Sequence, residues 1–128
     1  MIRNIIKRAD THGKSDVPGP IPELHCERQQ LAPDIAAAFK GFGDAVFADG
    51  ALPVKTKELI AVAVAHVTQC PYCIRGHTER ALRKGATQQE LMEAIWVAAE
   101  MRAGAAYAHS NLALDTMNRV AAGRAPAD

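Results

Sequence analysis

From Lys55 to His66 the chain reads Lys-Thr-Lys-Glu-Leu-Ile-Ala-Val-Ala-Val-Ala-His, and past Glu58 this segment is apolar on nearly every side of a helix. A helix with no polar face belongs at the centre of a domain or of an oligomer. Val67-Thr68-Gln69 then interrupts it, and Cys70-Pro71 opens a second helical stretch. Pro71 suits the first helical position, where its missing N–H is not needed and its fixed φ is already helical, and Cys70 suits the N-cap before it. Residues 55–66 and 71–84 are therefore expected to be two helices reversed about Val67 to Gln69, an antiparallel hairpin ended by Gly85.

The remaining segments also read as helices. Leu31 to Val46 has Pro33 and Asp34 in its first turn and a stripe of Ile35, Phe39, Phe42 and Val46, weakened by Gly41 and Gly43 and ended by Asp49-Gly50 and Pro53. Thr87-Gln88-Gln89-Glu90 is a capping box opening a helix with Leu91, Ile95, Ala98 and Ala99 facing inward. A last helix is expected from about Gly104 to Val120, with Ala105, Ala108, His109, Leu112 and Met117 available for packing. No strand pattern emerges, so the fold class is all-α. Residues 9–22 are rich in Pro and Gly, which makes 1–22 an arm, 23–120 one helical domain and 121–128 a tail that frays.

Bulk properties narrow the function classes. Of the 128 residues 48% are hydrophobic but only 5% aromatic, so the core is built from small side chains and buries little area per residue. Contacts between subunits are expected to supply the shortfall. A formal net charge of +1 with scattered basic residues gives no footprint for nucleic acid. The longest apolar run, Leu59 to Ala65, is too short for a membrane span. No apolar core of a secretory signal follows the first eight residues, and three cysteines in such a chain indicate a reducing, cytoplasmic setting.

Chemistry gathers at the hairpin. Glu58 precedes Cys70 by twelve positions, Cys70 and Cys73 form a Cys-x-x-Cys pair, and His77 lies four beyond Cys73. Two thiols so spaced at a helix start come within bonding distance, and an imidazole one turn on lies over the second thiol. In an antiparallel hairpin Glu58 and His77 both stand roughly 14 Å from the turn, at about 1.5 Å per residue, so they face each other. The expected order is a carboxylate orienting an imidazole, an imidazole beside Cys73, and Cys70 as the resolving thiol.

Glutamate, eleven residues, Cys-x-x-Cys, three residues and His is a pattern that resembles the active-site signature of the AhpD-like alkylhydroperoxidase branch of the carboxymuconolactone decarboxylase superfamily. It matches at Glu58, Cys70, Cys73 and His77, and the similarity extends to about Ala113. The resemblance implies an all-helical fold, a homo-oligomer (a trimer or hexamer), and a thiol peroxidase or disulfide reductase taking a hydroperoxide substrate and a dithiol or thiol-protein reductant. No cofactor is implied. Full-length AhpD is longer and carries a further His where this chain has Pro71 and Tyr72.

Other readings of the same residues stand beside this one. Cys70, Cys73 and His77 could form a zinc half-site completed by His66, His109, His25 or Cys26. A non-catalytic oligomer binding a metal or small ligand in that pocket is the alternative from another class, and a lactone decarboxylase a third, although that branch is not expected to need the dithiol. Glu58 favours redox chemistry, since a proton relay needs a carboxylate at that level and a metal site does not. His66 is expected to serve the helix end, His109 to be a core histidine, and Trp96 to pack.

Overall fold

In a computed structural model, which describes residues 22–123, the chain forms five helices: α1 (Pro22–Leu31), α2 (Pro33–Val46), α3 (Val54–Thr68), α4 (Pro71–Arg83) and α5 (Gln88–Ala121). The chain divides into two units after Phe42. The expected arm, except Pro22, and the tail beyond Gly123 lie outside the described residues.

The reversal between α3 and α4 is built from backbone geometry. Gln69 adopts a left-handed conformation, φ 55°, and its N–H donates to the Ala65 carbonyl. The Cys70 N–H reaches the same carbonyl at 3.2 Å. A left-handed residue followed by such a back-bond ends a helix and turns the chain in one step. α4 stops by the same device: Gly85 has φ 85° and the Ala86 N–H bonds Ala81 O at 3.0 Å. The capping box of α5 is complete, Thr87 Oγ1 accepting from Glu90 N at 3.0 Å and Glu90 Oε2 from Thr87 N at 2.7 Å.

α3 packs on both α4 and α5, and their common core is Val62, Ala81, Ala86 and Leu91, with Leu59 and Ile95 against it. Lys55 Nζ bonds Glu90 Oε1 at 2.8 Å across the α3–α5 contact. Arg102 of α5 donates to Val67 O at 3.4 Å, securing the end of α3. In the other unit, α1 and the start of α2 carry exposed side chains, among them Cys26, and the Phe39 and Phe42 rings lie 6.5 Å apart.

Several expectations are corrected. α1 is an additional helix, formed by good helix formers behind Pro22 at its first position but without a periodic apolar stripe. α5 is a single helix of 34 residues that runs through Gly104, where two helices were expected. Within one chain α3 is covered on the stripe of Glu58, Val62 and Ala65, and its Ile60, Val64 and Val67 are exposed there. Trp96 and Ala99 are exposed rather than inward because they lie beside the covered Ile95 and Ala98 on the other face of α5, and His109, further along the helix, is exposed as well. The α2 stripe of Ile35, Phe39, Phe42 and Val46 is exposed as well.

Candidate active site

Glu58 is the one polar side chain buried among the described residues, 2% exposed, on the stripe of α3 that faces α4. Its Oε2 accepts from His77 Nδ1 at 2.7 Å. The carboxylate and imidazole expected to face each other therefore do so. Burying a carboxylate is costly unless each oxygen finds a donor, and the second donor was not foreseen. Arg80 supplies it, its Nε lying 3.3 Å from Glu58 Oε1.

Arg80 also touches His77. Its Nη2 is 2.9 Å from Nδ1 and 3.0 Å from Nε2 of the ring. A nitrogen equidistant from both ring nitrogens lies against the face of the ring, not along either lone pair. The Phe47 ring contacts the same imidazole, centroids 5.2 Å apart and planes tilted by 32°. Lys57 Nζ donates to Val46 O at 2.8 Å and to Ala48 O, which fixes the short segment that carries Phe47. The sequence signal for Arg80 was its spacing: Cys73, His77 and Arg80 stand at i, i+4 and i+7 on α4, one face of the helix. Phe47, just past α2, carries no such signal.

The two thiols sit at the N-terminus of α4. Cys70 is the N-cap, its Sγ accepting from Cys73 N at 3.4 Å, and the Sγ atoms of Cys70 and Cys73 share a hydrogen bond at 2.7 Å. Both cysteines are free and half-buried. The bond from Cys73, with the backbone N–H groups of Cys73 and Tyr72, holds the Cys70 thiol below its ordinary range. Cys73 is pushed up by that same bond to Cys70, by burial and by the Cys70 charge, against a smaller downward pull from Arg80. Of the two thiols, Cys70 is the one whose charged form these surroundings favour. The physical reason is the cap position: one thiol receives the helix N–H groups and the other supplies a donor.

His66 Nδ1 bonds Val62 O at 2.7 Å, a role at the end of its own helix as expected. His25 bonds Arg28 at 3.2 Å. Among the described residues no three His, Cys, Asp or Glu side chains converge as a metal-ligand set. No helix of the described residues is long and apolar enough to cross a membrane.

The all-helical chain thus carries a dithiol at the start of α4 and, one turn further along that helix, an imidazole paired with a buried carboxylate. Residues 33–116 match the carboxymuconolactone decarboxylase family, and the chain belongs to that family. It is 60% identical over 94 residues, 73% of this chain and 85% of the relative, to uncharacterized protein 4 of the cox locus of Paracoccus denitrificans. A crystal structure from Methanobacterium thermoautotrophicum is similar with a TM-score of 0.65 at 38% identity, covering 70% of this chain and 97% of that one. A family protein of Thermotoga maritima, for which a part in an antioxidative response has been suggested, is similar with a TM-score of 0.52 at 26% identity over 80% of this chain and 97% of its own.

Proposed function

We propose that the chain is a thiol-dependent peroxidase and disulfide oxidoreductase that reduces alkyl hydroperoxides through the Cys70–Cys73 pair. The observation that carries this reading is the contact between the two thiols at 2.7 Å at the start of α4, with Cys70 held below its ordinary pKa. Family membership and the suggested antioxidative part of the Thermotoga maritima relative support it.

In the first step the Cys70 thiolate attacks the outer oxygen of a hydroperoxide; the O–O bond breaks, a sulfenic acid forms on Cys70, and the alkoxide takes a proton to leave as the alcohol. Cys73 then loses its proton and attacks the Cys70 sulfur, hydroxide leaves as water, and the disulfide closes. His77, held by Glu58 through Nδ1, has Nε2 for carrying the Cys73 proton toward the departing hydroxide. An external dithiol, small or borne by a protein, reduces the disulfide and is itself oxidised. Cycling of this kind fits a reducing compartment, the cytoplasm, and the family resemblance implies an assembly of several copies of the chain, a trimer or hexamer.

The test is a free-thiol count before and after one equivalent of cumene hydroperoxide, and again after dithiothreitol or dihydrolipoamide, with a metal assay on the untreated protein. The expected result is loss of two thiols, recovered on reduction, with Cys70 linked to Cys73 in peptide mass spectra. Persistent thiols under excess peroxide together with stoichiometric zinc would overturn it in favour of the metal-binding alternative.

A further inference from the structure

Three charged or titratable side chains meet at His77, and the dithiol chemistry above employs only two of them. Arg80 is the third. Its Nε is 3.3 Å from Glu58 Oε1 while its Nη2 lies over the imidazole, 2.9 and 3.0 Å from the ring nitrogens. Only a planar fork can meet a carboxylate edge and cover a ring face at once; an ammonium can do one or the other. Phe47 contacts the imidazole as well. Ring rotation would break the Nδ1 bond to Glu58 and drive the imidazole against its neighbours, so the ring is held in one orientation with Nε2 directed away from Glu58.

We propose that Arg80 is a positioning residue for the second half of the dithiol reaction, clamping Glu58 and His77 so that the imidazole takes the Cys73 proton as the Cys70–Cys73 disulfide closes. The inference rests on the dithiol reading and assigns a division of labour within it. Cys70 draws its stabilisation from the Cys73 side chain and from the N–H groups at the start of α4, not from Arg80. Cys73 gives up its proton only after Cys70 has reacted and lost its charge, and Arg80 favours the Cys73 thiolate that then attacks.

The two halves separate with 5,5′-dithiobis(2-nitrobenzoate), which needs no peroxide. The Cys70 thiolate attacks the reagent's disulfide, a mixed disulfide forms and one thionitrobenzoate leaves with the electron pair. Cys73, its proton passing to His77, then attacks the Cys70 sulfur; the protein disulfide forms and the second thionitrobenzoate leaves. A Cys26→Ser background removes the remaining exposed thiol. Arg80→Gln should leave the first release at the wild-type rate and slow the second on the order of tenfold, part of what a positioned general base contributes. The Arg80 side chain is half exposed, so melting temperatures should show both variants folded. Arg80→Lys, which keeps a charge but not the fork, should be as slow in the second phase as Arg80→Gln. A wild-type second phase in Arg80→Gln, equal slowing of both phases, or full recovery in Arg80→Lys would each overturn the proposal. A wild-type chain that closes its disulfide with the reagent but ignores cumene hydroperoxide marks failure of the peroxidase reading instead.

Discussion

At the scale of single residues, the two cysteines are chemically alike and their positions make them different. Cys70 sits where backbone N–H groups converge; Cys73 sits one turn in, with a thiol and a charge as its neighbour. Alkylation by iodoacetamide followed by peptide mass spectrometry against pH should show Cys70 reacting with a midpoint below the ordinary thiol value and Cys73 with one above it. The sign follows from which form each environment favours: donors favour the Cys70 thiolate, and the bond to Cys70, with burial and the Cys70 charge, favours the Cys73 thiol. Cys73→Ala removes the largest contribution at Cys70, the bond from the Cys73 side chain, so the Cys70 midpoint should rise in that variant. A Cys73 midpoint below that of Cys70 would place the attacking thiolate back on Cys73.

At the scale of elements, the hairpin turn is the piece on which the site depends, because one residue sets the angle at which α3 presents Glu58 to α4. Gln69 holds a left-handed conformation that disfavours side chains with a Cβ by about 1 kcal/mol. Glycine occupies such a position without that strain, although it gives the unfolded chain more freedom. Gln69→Gly is therefore expected to raise stability by about 0.5 kcal/mol in urea unfolding, with the Cys70–Cys73 chemistry unchanged. Destabilisation instead would mean that the Gln69 side chain makes a contact worth more than the strain.

What was legible at this scale was whatever has a local signature. Pro71 behind Cys70, Gly85 and the Thr87–Glu90 box marked three helix ends, and the nearly equal distances of Glu58 and His77 from the reversal at Val67 to Gln69 placed the two opposite each other. α1 escaped because Glu23, Arg28, Gln29 and Gln30 favour a helix without marking a face. The continuity of α5 escaped because one helical glycine, a penalty of about 1 kcal/mol, is outweighed in a long helix. Arg80 was readable by spacing yet not by chemistry, since only the burial of Glu58 shows that the carboxylate needs a second donor.

At the scale of the whole molecule, the apolar pattern of the sequence and the burial in one chain do not match. α3 carries two apolar stripes: Val62 and Ala65 are covered, while Ile60, Val64 and Val67, on the far side, remain 43 to 53% exposed. The later part of α5 adds Tyr107, Leu112, Leu114 and Met117, all exposed. Each such side chain gains about 1.5 to 3 kcal/mol when fully buried, so covering them by a partner would be favourable. A second copy of this chain meets the need most simply, because every copy brings the same bare helix faces and closed symmetry then covers them all. Sedimentation velocity at micromolar concentration should accordingly show an assembly larger than a monomer. Val64→Lys places a charge on the bare stripe without disturbing the covered one, so it should shift the assembly toward monomer while Cys70 keeps its reactivity. A wild-type chain that sediments as a stable monomer would show that water is the partner of that face. An assembly unmoved by Val64→Lys would show that copies meet elsewhere, leaving α5 as the surface to test.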